Sequence, residues 1–351
     1  MNAPGPTGTT GDTARPPLVE ADAGAPLLRV RDLRVRYGTG RRSFEAVAGI
    51  DLTVRAGQTV GLVGESGCGK STVARAIARL EPGISGELTF DGQDVTALRG
   101  RGLRPYRRRV GMVFQDPIAS LNPRRRVRDI IATPLRLTGR EEPAATTARV
   151  AELADLVGLH PTQFDRRPHE LSGGQCQRVS IARALARVPD LLLCDEVVSA
   201  LDVSVQAQVI NLLMDIREQR GLAMVFISHD LAVVRQLADQ VAVMYLGSLC
   251  EDAPVDELYE RPAHPYTRAL LASVPGESAT TRDDDMPTGD VPSPLNPPSG
   301  CRFRTRCPLA AEICARETPV PVELRPGHRV ACHFPLGAGT ASRATTALNS
   351  G

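Results

Sequence analysis

Residues 64–71 read GESGCGKS and directly follow the apolar run TVGLV at residues 59–63. Two glycines, a lysine and a serine at this spacing, between a strand and a helix, are typical of a phosphate-binding P-loop. The glycines let backbone N–H groups converge on phosphate oxygens, and the N-terminus of the next helix adds partial positive charge. Lys70 is the single lysine among 42 basic residues, at a position that suits a compact ammonium group. We therefore expect an α/β fold built around this strand–loop–helix unit.

The order of the apolar segments supports that fold class. Strand-like runs at 190–195, 222–227 and 240–246 alternate with helical patterns at 203–219 and 230–238. This alternation is typical of a parallel sheet covered by helices.

Composition and patterning divide the chain into segments. Gly, Pro, Thr and Ala dominate the N-terminus, strand-like alternation begins near residue 27, and six prolines crowd the stretch after residue 273. Segments with few apolar residues cannot form a core and are expected to stay extended or disordered. The predicted segments are a disordered tail (1–26), a folded domain (27–273) with a mainly helical part (about 116–170), a Pro-rich linker (274–299), a small cysteine-containing module (300–335) and a second disordered tail (336–351).

Composition also excludes several classes of function. The formal net charge of +2 argues against a basic nucleic-acid coat, and 3% aromatic residues without tryptophan argue against base-stacking platforms. No run approaches the 18 apolar residues of a membrane span, and the N-terminus lacks the apolar core of a secretory signal. We expect a soluble, cytoplasmic chain with no nucleic-acid partner.

Two acids, Asp195 and Glu196, end the apolar run at 191–194. A strand buried on both faces would deliver Asp195 to its carboxyl end, where open α/β sheets bind ligands. There Asp195 would support Mg²⁺ together with Ser71, and Glu196 would orient and polarise an attacking water. By themselves two acids after a strand are usually an exposed turn, so this interpretation depends on the P-loop upstream.

Further motifs follow in one order along the chain. With LSGGQ at residues 171–175, the chain resembles the nucleotide-binding subunits of ABC transporters. Tyr37 matches the aromatic residue that stacks on adenine, Gln115 matches the Q-loop glutamine, and His229 matches the switch histidine. Each alone has a plainer interpretation: a core aromatic, a solvated turn residue or a capping histidine.

The resemblance covers about residues 28–335 and implies a P-loop NTPase fold of the ABC ATPase type. That fold combines a parallel core sheet, an antiparallel β subdomain and a helical insert, here followed by the small cysteine-containing C-terminal module. The resemblance also implies a head-to-tail pair of such subunits with two ATP molecules between them, so that one subunit's LSGGQ loop caps the γ-phosphate held by the other.

Site residues are implied by matching the motifs position by position. The implied catalytic residues are Glu196, His229 and Gln115, the implied Mg²⁺ ligands are Ser71, Gln115 and Asp195, and the implied nucleotide-binding residues are Tyr37, Gly64, Glu65, Ser66, Gly67, Cys68, Gly69, Lys70, Ser71, Thr72, Ser172, Gly173, Gly174, Gln175 and Asp202.

Longer stretches narrow the resemblance to the oligopeptide/dipeptide uptake subfamily, and within it to the second, F-type ATPase subunit. They include QDPIASLNPRRRV, CDEVVSALDVS, HPYTRALLASVP and PLNPPSGCRFRTRCP. The implied partners are a second ABC ATPase, two membrane permease subunits and, indirectly, an extracytoplasmic peptide-binding protein, with the chain at the cytoplasmic face of the membrane. Nickel importers share much of this sequence, so the ATPase of a nickel importer is one alternative function. A soluble ABC ATPase of the DNA-repair type is a second.

Eight cysteines raise separate expectations. Cys68 lies beside a helix N-terminus, which predicts a lowered thiol pKa and ready alkylation. Cys301, Cys307, Cys314 and Cys332 do not have the spacing of a zinc finger, but four thiolates in a segment with little core suggest a metal staple. Related peptide transporters carry a four-iron cluster on a similar quartet, so the resemblance favours [4Fe–4S]; zinc or four reduced thiols are the alternatives.

Overall fold

A computed structural model describes residues 25–40, 43–137, 142–274, 287 and 289–337. Nearly all of the two predicted disordered tails and the first half of the predicted linker lie outside the described residues.

The described chain forms two β-sheets with helices around them. The strands are β1 (Leu28–Tyr37), β2 (Phe44–Val54), β3 (Thr59–Val63), β4 (Ile84–Phe90), β5 (Gln93–Asp94), β6 (Val110–Val113), β7 (Leu191–Asp195), β8 (Ala223–Ser228), β9 (Gln240–Tyr245), β10 (Ser248–Pro254), β11 (Val322–Arg325) and β12 (His328–Val330). The helices are α1 (Lys70–Ile77), α2 (Leu103–Arg109), α3 (Pro117–Ser120), α4 (Val127–Arg136), α5 (Pro143–Leu156), α6 (Gly173–Leu185), α7 (Val203–Arg220), α8 (Leu231–Leu237), α9 (Val255–Glu260), α10 (Pro265–Ala272) and α11 (Glu312–Arg316).

The larger sheet has a parallel centre in the order β9-β3-β8-β7-β6. Strands β3, β7 and β8 are buried along their whole length, which explains why their sequences are continuously apolar rather than alternating. Val63 pairs with Ser228 and Asp195 pairs with Ile227, so these strands end at one edge of the sheet. The loops after β3, β7 and β8 therefore meet at that edge.

The smaller sheet is antiparallel, in the order β2-β1-β4-β5. Its inward side chains, such as Leu28, Val30 and Val35, are buried against the parallel sheet, while the intervening arginines face outward. Tyr37 and Phe44 close the β1–β2 pair at the end nearest the P-loop.

Helices α3, α4 and α5 lie within the helical part expected at about 116–170, and α6 follows directly after it. Their apolar side chains, including Ile131, Leu153 and Val179, pack together and continue into the core of the parallel sheet. Two short 3₁₀ turns, Pro161–Gln163 and Pro168–Glu170, interrupt the stretch that the sequence suggested as mainly helical. Each begins with proline, whose fixed φ and missing N–H suit the first position of a helical turn.

The C-terminal segment extends the larger sheet rather than standing apart from it. Strand β10 runs antiparallel to β9, β12 pairs with β10 through Glu251 and Val330, and β11 pairs with β12. The cysteine-containing module therefore shares backbone hydrogen bonds with the sheet that carries the P-loop.

None of the helices in the described part of the chain combines the length and the apolar character needed to cross a lipid bilayer.

Candidate functional site

The P-loop wraps around the ammonium group of Lys70 at the end of β3. Lys70 Nζ donates to the carbonyl oxygens of Gly64 at 2.8 Å and Glu65 at 3.0 Å. Gly64 and Gly69 have φ values of 149° and 108°, and a Cβ on either would come within 2.1 Å and 2.3 Å of a backbone oxygen. Glycine is therefore required at both positions, and α1 begins directly after the loop with its first N–H groups open to an anion.

Asp195 lies at the base of this loop and is fully buried. Its Oδ1 accepts a hydrogen bond of 2.7 Å from the Ser71 hydroxyl, whereas Oδ2 has no hydrogen-bond partner among the described residues. Burial raises the pKa of Asp195. A hydroxyl beside a carboxylate oxygen without a partner is a donor set that fits Mg²⁺, which prefers hard oxygen ligands.

Glu196 stands at the mouth of the site and connects three other predicted residues. Its Oε2 accepts a 2.9 Å hydrogen bond from Gln115 Nε2 and lies 3.8 Å from His229 Nδ1. Its Oε1 lies 4.0 Å from Lys70 Nζ. Glu196 has a φ of 47°, a left-handed conformation that is costly for a residue with a Cβ and that often marks functional sites.

Lys70, Gln115 and Glu196 line a cavity of about 370 Å³, within the range for small-molecule sites. Four other predicted residues do not belong to its lining in the described chain: Gly64, Glu65, Asp195 and His229. Tyr37 lies at one side of it, its ring centroid 5.9 Å from that of Phe44, and burial raises the pKa of the Tyr37 phenol. The lining residues are Tyr37, Phe44, Glu45, Ala46, Ser66, Gly67, Cys68, Gly69, Lys70, Ser71, Thr72, Gln115, Glu196, Leu246, Gly247 and Pro294.

The predicted residues Ser172, Gly173, Gly174, Gln175 and Asp202 are not part of that lining in the described chain. Ser172 begins α6 with a capping box, in which its hydroxyl accepts from the Gln175 N–H and the Gln175 side chain accepts from the Ser172 N–H. Asp202 lies at the start of α7. In the first turn of that helix the Val205 side chain packs against Gly174. The LSGGQ segment and the residue before α7 therefore lie outside the nucleotide cavity of their own molecule.

The prediction of a reactive Cys68 is wrong. The side chain is only 4% exposed, and burial raises the pKa of its thiol instead of lowering it. The sequence revealed the helix N-terminus beside Cys68 but not that the P-loop folds its sulfur inward.

The four C-terminal cysteines do not form a preformed metal site. The Cys301 N–H donates to the Cys314 carbonyl at 2.8 Å, which brings those two residues together. Burial is the main cause that raises the pKa of Cys307 to about 11 and of Cys332 to about 12, and the other cysteines of the quartet lie near enough to raise both further. In the described ranges no group of three or more His, Cys, Asp or Glu side chains could hold a metal ion. The predicted [4Fe–4S] cluster therefore finds no support.

Comparison with known proteins identifies the family of the chain and agrees with a P-loop that binds phosphate. Residues 47–199 match the ABC transporter family, and residues 250–314 match the family described as the oligopeptide/dipeptide transporter, C-terminal region. The oligopeptide transport ATP-binding protein AppF of Bacillus subtilis is 47% identical over 319 residues, which cover 88% of this chain and 97% of AppF. The chain belongs to the ABC transporter ATP-binding proteins.

Solved ABC ATPases share the fold. The ATP-binding cassette MJ0796, solved as a dimer in a post-hydrolysis state with ADP and Pi, has a TM-score of 0.61 and 28% identity, covering 65% of this chain and 98% of that one. The transporter component cbiO1 of Clostridium perfringens has a TM-score of 0.60 and 26% identity, covering 67% and 91%. As a member of this family, the chain is an ATP-hydrolysing enzyme that uses ATP and Mg²⁺.

The structure adds lining residues to this ABC ATPase that sequence reasoning missed. Leu246 and Gly247 come from the turn after β9, and Pro294 comes from the segment predicted to be a linker. Leu246 and Gly247 directly follow a parallel strand, and this position could have identified them from the sequence. Nothing in the local sequence indicates that Pro294 returns to the cavity.

Proposed function

We propose that this chain is the ATP-hydrolysing subunit of an ABC importer that takes up oligopeptides or dipeptides through a separate membrane permease. The observation that carries the proposal is that the likeness to the oligopeptide transport protein AppF extends over 97% of AppF. The match therefore includes the C-terminal region at 250–314 as well as the ATPase core.

In the proposed reaction, Lys70 and the backbone N–H groups of residues 66–72 hold the phosphates, and Tyr37 stacks on adenine. Glu196 acts as the general base: it takes a proton from water as the water oxygen bonds to the γ-phosphorus and the bond to ADP breaks. Gln115 and His229 hold Glu196 and the water in line. The contacts of Glu196 with Gln115 and His229 support these roles, because phosphoryl transfer depends chiefly on positioning and electrostatic stabilisation.

The proposed Mg²⁺ ligands are Ser71, Gln115 and Asp195. Bound there, Mg²⁺ would neutralise charge on the β- and γ-phosphates. The carboxylate oxygen of Asp195 that has no partner in the described chain is the observation that supports this assignment.

Asp195→Asn is expected to separate stability from function. Because the substitution removes a buried charge, the nucleotide-free protein is expected to unfold about 2 °C higher. The same variant is expected to lose the gain in ATP affinity that Mg²⁺ gives. Thermal unfolding without nucleotide, and nucleotide titrations with Mg²⁺ or with EDTA, measure the two effects. Asp215→Asn, on the exposed face of α7, is the matched control; equal behaviour of the two variants would contradict the Mg²⁺ assignment.

The proposed active form is a head-to-tail dimer with a second ABC ATPase subunit. In it, Ser172, Gly173 and Gly174 of one subunit cap the γ-phosphate bound to the other, with Gln175 and Asp202 beside them. Ser172 stands at the start of α6, so its hydroxyl and the first N–H groups of a helix can face an anion together.

The proposed contact with the permease is a groove of about 290 Å³ between the helical part and the parallel sheet. Leu80 and Leu137 line it and are 49% and 74% exposed, and Arg107, Arg108 and Arg187 lie around them. Exposed apolar side chains ringed by charge suit one amphipathic cytoplasmic helix of a membrane partner. On this basis we propose that the chain lies at the cytoplasmic face of the membrane.

Affinity purification of the full chain from detergent-solubilised native membranes, followed by mass spectrometry, tests the assembly. Two multi-span proteins and a second ABC ATPase are the expected companions. Recovery only from the soluble fraction, together with nucleic acid or repair proteins, would contradict the importer and favour the DNA-repair alternative.

Uptake measurements test the cargo. Cells lacking this chain are expected to lose uptake of a labelled tripeptide and to keep uptake of nickel. The intact gene is expected to restore tripeptide uptake. Loss of nickel uptake alone would contradict the peptide assignment and favour the nickel-importer alternative.

A further inference from the structure

The segment after residue 288 returns to the nucleotide cavity. Pro294 lines the cavity directly. Arg302 donates through Nη1 to the carbonyl of Leu246, which lines the cavity with its neighbour Gly247. The C-terminal module therefore contacts the site through its side chains as well as through the sheet.

The strongest of these contacts joins the module to the P-loop itself. Arg306 Nη1 lies 2.9 Å from both carboxylate oxygens of Glu65, the second residue of the P-loop. The side chains are only 12% and 27% exposed, so solvent screens the pair less than it screens a surface ion pair. Charge-assisted contacts of this kind are among the stronger hydrogen bonds in proteins.

Every polar group of Glu65 that the structure describes is engaged in the fold. Its side chain binds Arg306, its N–H donates to the Tyr266 hydroxyl at 2.9 Å, and its carbonyl accepts from Lys70 Nζ at 3.0 Å. Glu65 thus connects the module, α10 and the phosphate-binding lysine at one residue of the loop.

Arg306 is itself held rigidly. Its N–H donates to the Phe303 carbonyl at 2.9 Å, and its guanidinium lies 5.9 Å from the centroid of the Tyr245 ring. Phe303 is buried between Tyr245 and Tyr266, with centroid distances of 5.3 Å to each. The aromatic packing beside it and the cation–π contact limit the positions that the Arg306 guanidinium can take.

We propose that Arg306 is a positioning residue for ATP: by holding the Glu65 carboxylate, it fixes the first turn of the P-loop and Lys70 in the conformation that accepts the phosphates. The affinity for ATP then depends on the docked C-terminal module. A loop held in its binding conformation before the ligand arrives loses less conformational freedom on binding. This inference rests on the proposed nucleotide site.

The first test measures the affinity of the full chain for a fluorescent ATP analogue, and KM and kcat for ATP in the native complex. Arg306→Ala is expected to raise Kd and KM about tenfold with kcat within about twofold, the pattern of a lost binding contact. Arg306→Lys cannot form the planar two-point contact with the carboxylate, so its Kd and KM are expected to lie between those of the wild type and Arg306→Ala. Arg304→Ala is the matched control, because the side chain of Arg304 hydrogen-bonds only Ser299, at the end of the predicted linker, among its described contacts.

A double-mutant cycle tests whether Arg306 affects ATP binding through its contact with Glu65. If Arg306 acts through Glu65, Glu65→Gln alone raises Kd to a similar extent, and the combined variant binds ATP no more weakly than Arg306→Ala. Glu65→Gln also removes the pair without altering the module, so it decides the matter even where Arg306→Ala folds poorly.

Wild-type Kd in both Arg306 variants and in Glu65→Gln would overturn the inference, as would fully additive losses. A wild-type chain that binds no ATP analogue would instead contradict the proposed nucleotide site.

Discussion

Glu196→Gln is expected to lower the rate of ATP turnover about 10³-fold while leaving the affinity for ATP within about twofold of the wild-type value. Glutamine keeps the shape of the side chain but cannot take a proton from water. The carboxylate accepts from Gln115 at 2.9 Å and lies 4.0 Å from Lys70 Nζ, so it stands beside the phosphate-binding group rather than on the surface. The measurement is single-turnover hydrolysis in the complex with its partners, alongside nucleotide binding to the same variant.

Glu218→Gln, exposed on α7, provides the matched control for the loss of one carboxylate. It is expected to hydrolyse ATP at the wild-type rate. Undiminished hydrolysis in Glu196→Gln would remove Glu196 from the role of general base. Lost binding in that variant would show that the carboxylate shapes the site rather than serving the chemical step.

The fold around Glu196 could be predicted well because its signals are local. The run TVGLV gave β3 with the observed bounds, and the pattern at 203–219 gave α7 to within one residue. Short continuous apolar runs bounded by turn residues are typical of strands buried on both faces, and neighbouring parallel strands bring their carboxyl ends to one edge. The meeting of Lys70, Asp195 and His229 near that edge follows from these two facts.

Features that depend on distant parts of the chain were missed. Pairing of β12 with β10 joins residues near 251 to residues near 330, and no local periodicity reveals a partner so far along the chain. The same distance hid the contacts of Pro294 and Arg306 with the nucleotide cavity and the P-loop. The prediction of a lowered pKa for Cys68 was wrong for a related reason: the pKa of a thiol depends on its burial, which is a property of the assembled fold.

Glu251 stabilises the junction on which this C-terminal module depends. It is 1% exposed and accepts hydrogen bonds from the N–H groups of Ala263 at 2.7 Å and His264 at 2.8 Å. Its third contact is 2.7 Å to Nε2 of the fully buried His328. Since Arg325 can only donate to Nδ1 of that ring, Nε2 carries the proton and donates to Glu251.

Glu251→Ala is expected to lower the free energy of unfolding by about 3–5 kcal/mol, because three buried donors lose their acceptor at once. Urea denaturation of the full chain measures the change, read as a lower midpoint at a constant slope. Glu312→Ala removes an acid of the same module whose side chain is 76% exposed and pairs with Arg316, and it is expected to change stability by less than about 1 kcal/mol. Equal effects of the two substitutions would mean that the buried carboxylate does not hold the module. If Glu251→Ala has the larger effect, the buried Glu251 carboxylate strengthens the junction that the backbone pairing of β12 with β10 forms.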